Sequence, residues 1–277
     1  MSSKNKNVDT AVWDKNRNTI YSSKGGWVIG EGVYSHGYDM MEELVGHKTY
    51  MQVVILNATG RLVSREMAEW MDAANICLSW PDPRIWCNQI GALGGTVRSS
   101  VVASTVSGVM AADSRAYGSK PLLEGVKFIQ HARKEYVKGK SVEAIVQEEC
   151  DRHAGKPHIM GFARPIAKGD ERIPAMERVA SKLGFIVGEH LAMAYEIEKV
   201  LMRDFDEGMN INGYGSAFMA DQGFSADEVY RIFLNTVTSG VTACYVDTAN
   251  KPVDTFLPLR CDDIVYEGKE HRSVPAK

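Results

Sequence analysis

Between Gly91 and Ala112 the chain reads GALGGTVRSSVVASTVSGVMAA, dominated by glycine, alanine, serine, threonine and valine. A helix of that composition has no charged face to offer solvent, so it is expected to be buried and closely approached by its neighbours. Membrane helices pack with the same residues. Arg98 and the hydroxyl content point instead to the interior of a soluble helical domain.

The rest of the chain supports a helical reading. Residues 1–33 are irregular, with a short hairpin expected where Trp27, Ile29 and Val33 alternate with Gly25, Gly26, Gly30 and Gly32. From about Tyr38 the apolar period becomes helical, with Met40, Met41 and Leu44 on one face. A helix is predicted from Ser64, with Glu66 in its first turn, to Cys77. Pro81 and Pro83 break the chain. Pro121–Val137 reads as a helix with Leu122, Val126, Ile129 and Tyr136 on one side. Ser141 caps another that runs to about His153, with Glu143 in its first turn. Pro174 opens one long core helix to about Phe205 through Met176, Val179, Leu183, Ile186, Val187, Leu191, Tyr195 and Leu201. Ser225 caps a last helix to about Tyr245, and the tail from Asn250 has no helical period. No useful strand alternation follows residue 34.

Composition narrows the function classes. Charged residues make up 24% and the net charge is -3, without the basic excess of a nucleic-acid binder. No apolar run is long enough to span a bilayer. The start, MSSKNKNVDT, lacks the apolar core of a secretory signal. Cys77, Cys87, Cys150, Cys244 and Cys261 are scattered, which implies reduced thiols, a cytoplasmic location and no zinc site. No histidine pair has metal spacing with a partnering carboxylate, so no metal is expected. No P-loop is present, and GALGG at Gly91 lacks the preceding strand of a dinucleotide site.

Five segments, in order, carry a family resemblance. SHGYDMMEEL (Ser35–Leu44) and GRLVSREM (Gly60–Met67) come first. MGFARPIAKGDERI (Met160–Ile173) and NINGYGSAF (Asn210–Phe218) follow, and LRCDDIVYEG with HRSVP closes the chain. Together they resemble the citrate synthase and citryl-CoA lyase superfamily, most nearly the lyase module of ATP-citrate lyase, from about residue 30 onward. The resemblance implies an all-α fold with a large and a small helical domain. It makes residues 1–30 a partly flexible N-terminal arm and residues 31–277 the citrate synthase-like domain. The small-domain portion is expected at about 160–235. It also implies a homo-oligomer, dimer or higher, and no tightly bound cofactor, with a coenzyme A thioester as co-substrate.

That family makes or breaks a carbon–carbon bond beside a CoA thioester. A carboxylate moves the α-proton, a donor stabilises the enolate oxygen, and cations hold the acceptor keto acid. Carried over by motif, the base position falls on Asn212, and an amide is no useful base. The ketone-binding histidine falls on Arg164, which keeps charge but transfers protons poorly. The enolate-binding histidine falls near Tyr117, and an earlier histidine falls near Pro83. Asp170, Arg172 and Asn210 are retained. Arg164 and Arg172 are read as a dicarboxylate clamp, or as solvated arginines. Asp170 positions Arg172 or substitutes as base. Asn210, Tyr214 and His36 are candidate substrate contacts, His36 standing where the family usually has arginine. Lys120 and Lys168 either meet CoA phosphates or are solvated. His131, His153 and His190 are read as packing or surface residues.

Three functions remain open on these residues. One is Claisen-type condensation or the reverse cleavage, between an acyl-CoA and a carboxylate-bearing keto compound. The second is decarboxylative or hydrolytic acyl chemistry on the same scaffold. The third is a non-catalytic ligand-binding or subunit paralogue.

Overall fold

The computed structural model describes residues 9–115, 117–164 and 169–275. The chain divides into two compact units, residues 1–71 and 72–277. In the first, a short helix α1 (Ala11–Lys15) precedes a three-stranded antiparallel sheet of β1 (Gly25–Val28), β2 (Gly32–Ser35) and β3 (Tyr38–Asp39). Register is set by Gly25 opposite Ser35 and Tyr34 opposite Asp39. The β1–β2 hairpin matches the sequence expectation; β3 does not. His36 (φ 52°) and Gly37 (φ 86°) form the two-residue turn between β2 and β3. Two positive φ angles suit the right-handed twist of the flanking strands.

The helical period expected from Tyr38 becomes only one wide π turn at Met40–Leu44, in which Leu44 is buried and Met41 is exposed. Asp39 stops the strand by accepting from the backbone N–H of Met41 and Glu42. The sequence reading passed over α2 (Tyr50–Thr59), which opens with a capping box of Thr49 and Gln52 and ends at left-handed Gly60. Helix α3 (Arg65–Leu78) begins where Ser64 Oγ accepts from Met67 N, close to the predicted bounds.

In the second unit the small-residue stretch is two helices, α4 (Trp86–Thr96) and α5 (Val101–Ala112). Arg98, at φ 59°, turns the chain between them, and its guanidinium donates to the carbonyls of Gly95, Thr248 and Lys251. Close approach is the reason for the glycines. A Cβ on Gly91 would sit 2.4 Å from the Val241 carbonyl oxygen, and one on Gly95 2.3 Å from that of Tyr245. Both partners lie on α12 (Thr238–Ala249), which packs on α4 and α5. The stretch is not buried all round, because Val102, Val106 and Met110 leave one stripe of α5 exposed.

Helix α6 (Ser119–Val137) and α7 (Val142–Arg152, capped by Ser141) follow the predicted bounds. Tyr136 is exposed, with Arg133 over its ring. The single helix expected from Pro174 to Phe205 is two, α8 (Arg172–Lys182) and α9 (Glu189–Phe205). Gly184, at φ 82°, ends the first, and Ile186 and Val187 are exposed rather than core. Asp221 restarts the second by accepting from the N–H of His190 and Leu191. Helix α10 (Ile211–Asp221) is buried along nearly its whole length and packs on α6 and α9. The last predicted helix is likewise split, into α11 (Ala226–Ile232) and α12. The tail after Asn250 has only a one-turn 3-10 segment at Cys261–Asp263. Among the described residues, no helix is long and apolar enough to cross a membrane.

Gly91→Ala should cost about 1–3 kcal/mol through forced separation of α4 and α12. Denaturant unfolding checks this; an unchanged midpoint would show that the contact tolerates a methyl group.

Candidate active site

The site is built where the segment 160–172 meets the start of α10. Phe162 and Met209 form an antiparallel bridge, and Ala163 N donates to Gly208 O at 2.8 Å. Gly161 and Gly213 permit this approach: a Cβ on Gly213 would lie 2.2 Å from the Gly161 carbonyl oxygen. Asn210 ties both segments. Its Nδ2 donates to Ala163 O at 2.8 Å, and its Oδ1 caps α10 by accepting from Asn212 N and Gly213 N.

Asp170 is the centre of the charge network. Its side chain is fully buried. Arg172 grips it as a fork, with Nε to Oδ1 at 2.7 Å and Nη2 to Oδ2 at 2.6 Å. Oδ2 also accepts from Ile211 N at 2.8 Å, the second link between the two segments. Arg164 Nη1 lies 3.7 Å from Oδ1. Burial pushes the Asp170 carboxyl up, but the Arg172 hydrogen bonds and charge and the backbone N–H groups outweigh it. The net result is a pKa below the usual carboxylate range, so Asp170 is an ionised anchor and a poor proton acceptor.

Arg164 is paired through both Nη atoms with Glu171, whose pKa is held down to about 2 chiefly by that hydrogen bond. Among the described residues, two guanidinium groups therefore face two carboxylates, and their charges balance. Among the described residues, Arg172 Nη1 makes one long contact, 3.5 Å, to Cys77 O. Its guanidinium carbon sits 5.1 Å from the Trp80 ring centroid. Trp80 and Asp82 are in turn strapped to α4 by Asn88 Nδ2, which donates to both carbonyls. The sequence expectation here was a proline break, with one of the family's histidine positions falling near Pro83.

Tyr117 sits on the turn before α6. Its ring meets Trp86 edge-on at 5.2 Å and packs on Cys87, Ala112, Val237 and Val241. Burial first, and the nearby Cys87, push its pKa up to about 12, against the lowering influence of Arg172. At neutral pH Tyr117 is a protonated hydroxyl within the field of Arg172.

The other sequence candidates are placed as follows. Asn212 is half-buried in the first turn of α10. Tyr214 is 1% exposed and stacks on Phe218. Lys120 is exposed at the start of α6, and Lys168 lies outside the described residues. His36 is in the first unit, where its Nε2 is buried with no hydrogen-bond partner among the described residues.

A cleft of about 930 Å³ opens beside these segments, floored by Ile159 and Met160 and edged by Glu207. Arg115, Lys127, Arg152 and Lys156 line it, as do His131, His153 and His158. Sequence reading missed it because its cations come from four separate elements and form no run. Among the described residues, no group of three or more His, Cys, Asp and Glu side chains could hold a metal ion.

Asp170→Asn keeps the shape but leaves buried guanidinium charge uncompensated, and should cost about 3–5 kcal/mol. The folded pKa is depressed, so the carboxylate's contribution is fully present above its unfolded value. It is lost as pH falls below that value toward the folded one. Urea unfolding of both proteins should show the gap closing only in that acid window; a gap independent of pH would contradict the assignment.

No protein-family model and no curated protein sequence matches the chain. Solved structures do. Citryl-CoA lyase from Hydrogenobacter thermophilus superposes with a TM-score of 0.78 at 22% identity, covering 92% of this chain and 97% of that one. ATP citrate lyase from Methanothrix soehngenii, solved with citrate and coenzyme A, gives 0.75 at 16% identity. That match covers 97% of this chain but 45% of the larger one. Citrate synthase from Thermoplasma acidophilum, solved with carboxymethyl coenzyme A and oxaloacetate, gives 0.60 at 16% identity, covering 82% and 59%. The chain has a mostly helical, citrate synthase-like fold.

Proposed function

We propose that this chain binds a CoA thioester and a carboxylate-bearing compound and cleaves the carbon–carbon bond beside the thioester. The observation that carries this reading is continuity. The cleft is lined in part by residues 157–160 and Glu207, which adjoin in sequence the paired segments 161–164 and 208–212 beside the Arg172 cluster, while its cations come from four other elements. A ligand with phosphates at one end and a carboxylate at the other fits that layout. In this reading residues 160–235 act as the small domain.

The chemistry follows from which groups are free. Condensation needs a base to remove the α-proton. Asp170, Glu171 and Asp82 are each paired with arginine, and position 212 is an amide. Cleavage runs through the same states in reverse, so the absence of a free carboxylate among these groups weighs on both directions alike. The β-hydroxyl gives its proton to water, the carbon–carbon bond breaks with its electron pair moving onto the thioester as an enolate, the keto compound leaves, and water returns a proton to the α-carbon. Tyr117 is suited to donate to the enolate oxygen, and Arg172 Nη1 to hold a carboxylate. The neutral cluster gives no second free guanidinium, so one carboxylate is favoured over the dicarboxylate clamp.

The same neutral cluster and Asn212 favour a second reading, a subunit that binds these ligands without turnover. Titration with CoA, acetyl-CoA, citrate and oxaloacetate, read as melting shifts, tests binding. A ligand at 100 times its Kd adds about 2.7 kcal/mol. Citryl-CoA turnover then separates the readings. Tyr117→Phe should lower kcat about 10²–10³-fold with binding retained. Binding without any turnover selects the second reading, and no binding of CoA or carboxylate removes both.

The stripe of Val102, Val106 and Met110 supports a second copy of this chain as its cover. Light scattering should give at least twice the chain mass, and Val106→Glu should lower it. A monomer in the unaltered protein would overturn this assignment.

A further inference from the structure

Arg164 is held from two sides. On one side Nη1 donates to the Gly169 carbonyl at 3.3 Å and lies 3.7 Å from the buried Asp170 Oδ1. On the other, both Nη atoms donate to the Glu171 carboxylate. The Arg164 side chain is 12% exposed, whereas that of Glu171 is 72% exposed. Glu171 therefore reaches from solvent onto a guanidinium that is seated in the protein. It stands at the N-cap of α8 but makes no side-chain capping bond. Asp170 fixes the start of that helix instead. Its Oδ1 accepts from Arg172 N, and its carbonyl accepts from Ile173 N. The Glu171 pairing has the two-pronged geometry with which arginine takes up the carboxylate of a ligand.

We propose that Glu171 is a specificity-determining residue, an internal carboxylate that occupies the Arg164 fork and turns the site from dicarboxylates toward monocarboxylates. The proposal rests on the functional reading only in taking Arg172 as the holder of a substrate carboxylate, and is independent of CoA.

Geometry sets up the competition. Arg164 and Arg172 flank one carboxylate: Asp170 Oδ1 is 2.7 Å from Arg172 Nε and 3.7 Å from Arg164 Nη1. A small dicarboxylate held at Arg172 has Arg164 within reach of its second group. Glu171 already sits there, tethered seven residues from Arg164 and hence at high local concentration. The incoming carboxylate has to displace it and then lie beside its negative charge, a repulsive element against one ligand class. A ligand with one carboxylate meets neither cost. Replacing the Glu171 carboxylate by an amide leaves a neutral, exposed side chain that yields the fork. The contacts of Arg164 to Gly169 and Asp170 persist, so the guanidinium stays oriented for a ligand.

The test is titration with oxaloacetate and pyruvate, which differ by one carboxylate, at neutral pH and fixed ionic strength. The unaltered chain should bind oxaloacetate no more than about threefold more tightly than pyruvate. Glu171→Gln should raise that ratio at least about tenfold through oxaloacetate, with pyruvate affinity kept within about threefold. Adding Arg164→Gln should return the ratio to that of the unaltered chain. If Glu171→Gln does not fold, Glu171→Ala makes the same comparison. An unchanged ratio in a folded variant marks an ordinary exposed ion pair and overturns the proposal. So does a rise that survives in the double variant, or binding of neither compound by any of these proteins. A preference of about tenfold or more for oxaloacetate already present in the unaltered chain overturns it too. Melting shifts with CoA are read alongside. A CoA shift with an unchanged ratio keeps the CoA reading and removes this one. A switched ratio without a CoA shift keeps this one and removes the CoA reading.

Discussion

The fork of Arg172 on a buried carboxylate ties two helix starts of the second unit together. Asp170 accepts at once from the guanidinium that opens α8 and from the backbone N–H that opens α10. One side chain thereby fixes two helix starts and the segment between them. A buried ion pair needs every lone pair engaged to offset its desolvation. Here the second backbone donor and the nearby Arg164 meet that demand. The same arrangement removes Asp170 from acid–base chemistry, because a carboxylate committed to this many donors has little affinity for a proton.

That constraint sets the charge pairing within the cluster. Arg164 and Arg172 were both legible in the sequence as cations eight residues apart, and the ligand they would hold was read as a dicarboxylate. Glu171, which sits between them in sequence, attracted no notice. It neutralises Arg164, while Asp170 neutralises Arg172. Charge counts along a segment do not show which acids fold back onto which bases.

Other features divide along the same line. Helix starts were legible where a side chain caps locally, as at Ser141 and Ser225. The break between α8 and α9 was not, because its cap comes from Asp221, thirty-one residues beyond His190. The glycines of α4 were legible as close contacts, but not their partner, since α12 lies about 150 residues downstream. Ordered motifs such as MGFARPIAKGDERI carried the fold. The cleft had no such signal. Its cations are contributed by the turn before α6, by α6, by α7 and by the loop after it, and each looks like ordinary surface where it stands.

The turn between α5 and α6 has a geometric consequence. Ser114 and Tyr117 bridge each other, so Arg115 and the phenol are carried on one tight loop, anchored behind by Gly118 against the Ala112 carbonyl. Arg115 lines the polar cleft; the Tyr117 ring packs on Cys87, Ala112, Val237 and Val241. Only two positions of chain therefore separate a guanidinium lining a polar cleft from a ring seated in the apolar core.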